Sequence, residues 1–204
     1  MKTISIIMMA LILSGGAPAQ TSQVCTTCLP EGIWFSTQMQ IDSFSVNYPG
    51  CSGIEGFVVI NGNDISNLNG LASITNIAGS LSIYSNDDLT SLTPLKNLRS
   101  IGGHLCIYNN KKLNSLIGLD NIHYQSINDL IILDNESLFQ CAIASVCAYL
   151  SVPYGWIQIG YNAPGCNSRQ EVETACEKGI RDSAISSQQT QSIPSPNHVS
   201  IQLR

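Results

Sequence analysis

Charge is scarce in this 204-residue sequence, and basic charge is scarcest. Lys and Arg together number 9, Asp and Glu number 14, and charged residues make up 11% of the chain. The basic residues form no stripe, which excludes the electrostatic footprint of a nucleic-acid-binding protein. The apolar stretch at residues 4–13 is shorter than the ~20 residues that a membrane-spanning helix needs, and no second long apolar run follows it. The sequence therefore predicts no nucleic-acid partner and no transmembrane segment.

Catalytic motifs are lacking as well. The sequence contains no nucleophile elbow, no HExxH, no phosphate-binding loop and no dinucleotide fingerprint. The histidines His104, His123 and His198 fall in separate parts of the chain and are not expected to converge. Cys25 and Cys28 have the spacing of half a zinc site, but a second pair of that spacing is missing. We expect no catalytic residues, no metal and no cofactor.

The first residues predict export. Lys2 supplies a short basic start, residues 4–13 are mostly apolar, and the "APA" at 17–19 has the form of a cleavage site. Together these features indicate a secretory signal peptide over residues 1–19. The protein is therefore predicted to be secreted, and extracellular or exposed at the cell surface.

The 8 cysteines of an exported chain predict disulfides rather than thiols. Three precede the regular centre of the mature chain, four follow it, and only Cys106 lies inside it. Position along the repeat described next suggests the pairs Cys28–Cys51, Cys141–Cys166 and Cys147–Cys176. Cys25 and Cys106 are left without an assigned partner.

The centre of the chain repeats one phrase. The five copies are "FVVINGNDISNL", "LSIYSNDDLTSL", "LCIYNNKKLNSL", "LIILDNESLFQC" and "WIQIGYNAPGC". Aligned on one asparagine, they follow each other at steps of 23, 24, 25 and 27 residues. A fixed period in this range is the signature of a repeat architecture.

Each copy predicts one short strand. Two apolar residues recur two positions apart, as in Leu81 and Ile83, and alternate residues of a strand share a face. Further apolar positions such as Leu89 and Leu92 leave too little inward surface for one copy to form a core alone. The chain must therefore coil so that equivalent strands stack in a parallel sheet. The predicted fold is mainly β, a parallel β-solenoid of about five rungs of about 24 residues.

The aligned asparagines are expected to form a structural ladder at the corner after each strand. Backbone groups that leave the sheet there need donors and acceptors, and an inward amide side chain offers both. The predicted ladder comprises Asn63, Asn86, Asn110, Asn135 and Asn162. Asn135 also begins a glycosylation sequon, which we interpret as structural because the same asparagine belongs to the ladder.

Caps are expected at both ends of the stack, since an open coil exposes its first and last rungs. Thr37 with Gln40 forms the pattern of a capping box and predicts a short helix in the N-terminal cap. Ser168 with Glu171 predicts a second capping box, and Gly179 is the expected end of that C-terminal helix. The C-terminal cap is thus predicted to be helical and disulfide-linked.

The segment from Gly79 to Ile122 resembles the leucine-rich, receptor-L-domain-like repeats of secreted bacterial surface proteins. "CLPEGIWFSTQMQIDSFSVNYPGCSGIEGFVVING" and "NAPGCNSRQEVETAC" are similar to the caps of that family. The resemblance implies a right-handed solenoid like the ligand-binding L domains of insulin and growth-factor receptors, and a role in surface recognition. Such proteins usually continue into further repeats or a type IX secretion sorting domain. Here a Ser-, Gln- and Pro-rich tail follows instead.

The outward strand positions suggest where a ligand binds. Tyr84, Tyr108 and Leu133 should line up on the exposed sheet with Ile131 beside them. An aromatic ladder on a flat sheet can bind a sugar chain or a partner protein. The alternative is that cross-strand stacking only steadies the sheet.

Charges after the strands alternate in sign along the stack. Asp87 and Asp88, then Lys111 and Lys112, then Glu136 occupy equivalent positions. Neighbouring strands lie about 4.8 Å apart, so alternation removes a like-charge repulsion and favours correct register. Calcium binding by the aspartates is disfavoured by the lysines beside them.

The sequence therefore predicts a recognition module without catalytic activity, which binds an unknown protein or carbohydrate ligand. The alternatives are a remnant of a carbohydrate-active β-helix enzyme and a structural spacer of a larger surface protein. The predicted organisation is a signal peptide at 1–19, an N-terminal cap at 20–53, repeats at 54–162, a C-terminal cap at 163–180 and a disordered tail at 181–204.

Overall fold

The computed structural model describes residues 27–191, which contain ten short strands and four α-helices. The strands are β1 (Thr27–Cys28), β2 (Ile33–Phe35), β3 (Gly53–Ile54), β4 (Val58–Ile60), β5 (Asn76–Ile77), β6 (Leu81–Tyr84), β7 (Ser100–Ile101), β8 (Leu105–Tyr108), β9 (Leu130–Leu133) and β10 (Ile157–Gly160). The helices are α1 (Gln38–Asp42), α2 (Phe44–Asn47), α3 (Ala144–Ser151) and α4 (Arg169–Gln191). The predicted signal peptide, Cys25 and residues 192–204 of the predicted tail lie outside the described residues.

The strands form two parallel sheets. The larger has six strands in the order β10-β9-β8-β6-β4-β2, and the smaller has four in the order β1-β3-β5-β7. From β1 to β8 consecutive strands alternate between the two sheets, so the chain passes back and forth and returns beside its own previous strand. The predicted repeat and its parallel pairing are present in the structure.

Register in the six-stranded sheet follows the repeat. Leu81 pairs with Leu105, Leu105 with Leu130, and Leu130 with Ile157. In β6, β8 and β9 the burial pattern alternates strictly between buried and half-buried residues. One set of side chains therefore faces the core, and the intervening set faces away from it.

The core is a stack of leucines and isoleucines between the sheets and the loops. The apolar positions Leu89 and Leu92, and the residues Leu95, Leu98 and Ile101 that continue the same spacing, are all buried. Each fully buried side chain of this size stabilises the fold by roughly 1.5–3 kcal/mol relative to exposure. The core residues hold the outward residues of the same strands in fixed register.

Four buried asparagines form a continuous hydrogen-bonded column at the strand corner. The Oδ1 atom of Asn110 accepts hydrogen bonds from the backbone N–H and the Nδ2 of Asn86, at 3.2 and 3.0 Å. Asn135 accepts both bonds from Asn110, and Asn162 accepts both from Asn135. At the end of the column the Nδ2 of Asn162 donates to the carbonyl of Cys166, so a backbone group takes the place of a further asparagine.

Asn63 does not belong to the ladder, contrary to the prediction, because its side chain is exposed. In the first repeat one residue separates Ile60 from the corner, whereas in the second repeat two residues separate Ile83 from the corner residue Asn86. Gly62 therefore occupies the corner, and its N–H donates to Oδ1 of Asn86 at 2.9 Å. A Cβ atom at Gly62 would collide with the carbonyl of Ser36.

The six-stranded sheet also corrects the predicted count of about five rungs. The additional strand is β2, which falls within the predicted N-terminal cap and pairs with β4. It leads through Thr37 directly into α1 and has no corner asparagine. The capping box of Thr37 and Gln40 is confirmed, although the cap consists of two short helices, α1 and α2, that meet at Ser43.

The C-terminal cap differs from its prediction in two details. Ser168 Oγ accepts from the backbone N–H of Glu171, as the predicted capping box requires. The Glu171 carboxylate, however, accepts from the backbone N–H groups of Gly165 and Asn167, at 2.7 and 3.0 Å, instead of from that of Ser168. Gly179 does not end the helix, because α4 continues through it to Gln191. Glycine in a helix interior costs only about 1 kcal/mol, and no proline follows before Pro194. Residues 181–191 are thus helical rather than disordered.

Within residues 27–191 three disulfides fasten the two ends. They join Cys28 to Cys51, Cys141 to Cys166, and Cys147 to Cys176. These are the pairs expected from position along the repeat. The last one links α3 to α4, so the C-terminal helix is tied to the end of the stack.

Candidate ligand-binding face

The outer side of the six-stranded sheet presents two rows of side chains. One row runs through Trp34, Val59, Ser82, Cys106, Ile131 and Gln158, and the next through Asn61, Tyr84, Tyr108, Leu133 and Gly160. We call this surface the tyrosine face, defined by the predicted binding residues Tyr84, Tyr108, Ile131 and Leu133. The structure brings these four residues together, and each is half-buried.

Tyr84 and Tyr108 stack on each other. Their ring centroids lie 4.6 Å apart and the ring planes differ by 5°. Each ring therefore covers one face of the other, and the pair presents ring edges and hydroxyl groups to solvent. Burial raises the pKa of Tyr108, and the neighbouring Tyr84 and Cys106 raise it further. The Tyr108 hydroxyl thus remains protonated, and able to donate, at neutral pH.

Cys106 lies in the middle of the tyrosine face and is a free, half-buried thiol. Its register partners are Ser82 on one side and Ile131 on the other. Burial raises the pKa of the thiol; a hydrogen bond with Ser82 offsets part of this effect, and the charge of Asp129 adds to it. Cys106 is therefore a poor nucleophile at neutral pH.

Aromatic side chains at the β2 edge extend the tyrosine face beyond the predicted residues. Trp34 is 59% exposed, and its ring meets that of Phe57 edge-on, with centroids 6.3 Å apart. The sequence carried a signal for this extension, because Ile33 and Phe35 flank Trp34 with the same alternation as the repeats. It was missed because β2 lacks the asparagine on which the repeats were aligned.

A histidine and an aspartate meet at the amino ends of the strands. The Nδ1 atom of His104 is 2.8 Å from a carboxylate oxygen of Asp129. The other oxygen of Asp129 accepts from the backbone N–H of Trp156 at 2.7 Å. Asp129 therefore bridges β8 to the start of β10 across β9.

The predicted charge alternation forms two ion pairs at the carboxyl ends of the strands. Lys111 Nζ lies 2.7 Å from Asp87, and Lys112 Nζ lies 2.6 Å from Asp88. These hydrogen bonds, and the charges of the same carboxylates, raise the pKa of both lysines. Within residues 27–191 no group of three or more His, Cys, Asp and Glu side chains is arranged to hold a metal ion.

A concave region adjoins the tyrosine face where β8, β9 and β10 end. We call it the acidic depression; it has a volume of about 810 Å³ and is lined by Tyr108, Asn109, Asp134, Glu136, Tyr161 and Asn162. Asp134 and Tyr161 both have positive φ, at 55°, because each is the left-handed residue directly before a ladder asparagine. This conformation turns the chain and directs both residues away from the core.

Parallel strands in repeat register, with one sheet face uncovered, define a repeat domain that presents a surface. The family model of the receptor L domain matches residues 50–151, which is half of the chain. The chain therefore belongs to the receptor L domain family, a family of ligand-binding modules. A comparison with curated proteins finds no match. Within residues 27–191 no helix is both long and apolar enough to cross a membrane.

Proposed function

We propose that this protein is a secreted or cell-surface recognition module without catalytic activity, and that its ligand binds on the tyrosine face. The ligand class is a protein or a carbohydrate. In this proposal the two sheets belong to a right-handed solenoid, and the predicted signal peptide directs export. The relationship to bacterial surface proteins that carry type IX sorting domains remains part of the same proposal.

One observation carries the assignment. Tyr84, Tyr108 and Leu133 form a continuous row across three adjacent strands, and no element within residues 27–191 covers it, since all three remain partly exposed. A row of large apolar side chains on an uncovered sheet is typical of an interaction surface. The disulfides and the family membership support an extracellular binding role.

The test compares the full chain with the double variant Tyr84→Ala/Tyr108→Ala on arrays of extracellular proteins and of glycans. We expect the double variant to bind the ligands of the wild-type chain more weakly, by about 2 kcal/mol or more, which is about thirtyfold in Kd. The reason is that aromatic anchors dominate binding surfaces. Circular dichroism and thermal unfolding show whether the double variant keeps its fold.

Phe139→Ala is the matched control. Phe139 is 58% exposed and lies outside the tyrosine face, so its loss removes an exposed aromatic ring without touching the proposed site. Equal binding by the folded double variant and the wild-type chain would contradict the proposal. Equal losses in the double variant and in Phe139→Ala would contradict the assignment of the site.

A further inference from the structure

We propose that residues 198–203 of one copy of this chain add as an edge strand beside β10 of a second copy, so that two copies exchange strands and form a dimer. The segment itself lies outside the described residues. The exchange involves the edge of the six-stranded sheet rather than its outer face, and it requires no ligand on the tyrosine face.

β10 is the last strand of the six-stranded sheet, and one of its edges is open. The carbonyls of Trp156 and Gly160 accept hydrogen bonds from the β9 side, so the backbone groups of the alternate residues Ile157 and Ile159 point away from β9. Ser168 forms an isolated antiparallel bridge with Gly160 and covers only the carboxyl end of this edge. In the described part of the chain no strand pairs with the remainder. An unpaired edge of this kind is a template for a further strand.

The core-facing side chains of β10 are also less covered than those of the neighbouring strand. The equivalent residues Leu130 and Ile132 of β9 are fully buried, whereas Ile157 and Ile159 are half-buried. At the opposite edge of the sheet the inward Phe35 of β2 is buried against α2. The end of the stack at β10 therefore keeps apolar surface that a further strand would bury.

Residues 198–203 have the alternation of the strands in this sheet. Their sequence is HVSIQL, in which Val199 and Ile201 are separated by a serine. The same order, two apolar residues with a polar residue between them, is LSI in β6 and IQI in β10. Valine and isoleucine are β-branched and favour strands. In either strand direction Val199 and Ile201 would cover Ile157 and Ile159.

The reach of the chain assigns the segment to a second copy. α4 begins beside β10, where Ser168 bridges to Gly160, and its 23 residues extend about 34 Å at about 1.5 Å per residue. Val199 is eight residues beyond Gln191, and eight residues span at most about 29 Å. In its own chain Val199 therefore falls short of the start of α4, even when the segment is fully extended back along the helix. A second copy presents its β10 edge without this limit, and reciprocal exchange closes a dimer.

The experiment compares the sedimentation velocity of the full chain with that of Val199→Asp/Ile201→Asp. We expect the wild-type chain to dimerise, and the double variant to raise the Kd of the dimer at least about tenfold, because it places charges where apolar side chains are buried. Ser200→Asp/Gln202→Asp is the matched control. It makes the same change of charge in the same segment at the positions between the buried side chains, and it should leave the Kd unchanged.

Hydrogen exchange locates the contact. The backbone amides of Ile157 and Ile159 should exchange at least about tenfold more slowly in the wild-type dimer than in Val199→Asp/Ile201→Asp, because the added strand protects the edge. The substitutions lie outside the disulfide-linked part of the chain, so amides of the central strands should be equally protected in both proteins.

Three results would overturn the exchange. One is a wild-type chain that stays monomeric; protection of Ile157 that depends on the segment in such a monomer would show that the segment returns to its own chain. The others are a dimer that survives Val199→Asp/Ile201→Asp and equal weakening by both double variants. Array binding by Tyr84→Ala/Tyr108→Ala tests the proposed function separately, since neither tyrosine lies on the β10 edge.

Discussion

Removal of one ladder asparagine tests the physical basis of the corner most sharply. The side chain of Asn110 is fully buried. Its Nδ2 donates to the carbonyls of Ile83 and Tyr108 and to Asn135, and its Oδ1 accepts two bonds from Asn86. In Asn110→Ala the buried backbone N–H of Asn86 loses the acceptor that it has in the structure.

The magnitude follows from that loss. A buried donor without a partner costs about 1–3 kcal/mol, and the other broken bonds add a smaller amount because the carbonyls keep a second lone pair. We expect Asn110→Ala to lower the free energy of unfolding by about 3 kcal/mol. For a domain of this size that corresponds to a fall in Tm of roughly 6–12 °C.

The assay is chemical and thermal unfolding of the full chain with the disulfides intact. Asn63→Ala is the matched control because Asn63 is exposed, and its effect should stay within about 0.5 kcal/mol. Asn110→Asp should be worse than Asn110→Ala at neutral pH, since it buries a charge that faces two carbonyls. Equal stability of Asn110→Ala and Asn63→Ala would refute the reasoning.

Three further predictions concern the corner, the charged edge and the thiol. Gly62→Ala should destabilise the fold more than an ordinary surface change, because its Cβ would collide with backbone, and a Tm equal to wild type would contradict this. The pKa of Lys111 and Lys112 is raised above the ordinary 10.5, so their stabilising contribution is present below that pH and is lost as pH rises through the folded values. Compared with Lys111→Met/Lys112→Met, the wild type should therefore lose its advantage in alkaline unfolding titrations; an advantage independent of pH would disprove the ion-pair effect. Iodoacetamide should modify Cys106 along a pH curve displaced above the ordinary cysteine value of 9.0, as peptide mass spectrometry can show, and an undisplaced curve would contradict burial of the thiol.

Much of the fold was predictable because the inward residues repeat with a fixed period. Leu81, Leu105 and Leu130 occupy equivalent positions in the sequence, and they pair in the sheet. Alternation within a strand then determines which residues face outward, so the four residues of the tyrosine face could be named together. The core and the tyrosine face are consequences of the same period.

The errors arose where local backbone geometry departs from the period. Asn63 was aligned by residue identity, but the first repeat is one residue shorter before the corner, and Gly62 fits there. Trp34 was missed because β2 has the alternation without the corner asparagine. Glycine at position 179 is typical of a helix end, yet Gly179 has no positive φ and the helix continues through it.

The acidic depression could not be predicted from the repeat alone. It depends on Asp134 and Tyr161, which lie in different repeats and carry unrelated side chains. Both occupy the left-handed position before a ladder asparagine, and only the folded backbone shows that they line one concavity. The alternation of charge along the repeats does indicate the negative charge of the depression, because the repeat that follows Glu136 has no lysine at the equivalent position.

The most direct test of the binding surface uses Cys106 as a native reporter in the middle of the tyrosine face. A ligand found on the arrays is added at saturation, and the alkylation rate of Cys106 is measured by peptide mass spectrometry. We predict that bound ligand slows alkylation of Cys106, and that Tyr84→Ala/Tyr108→Ala abolishes this protection. An alkylation rate that stays the same with saturating ligand would show that the ligand binds elsewhere.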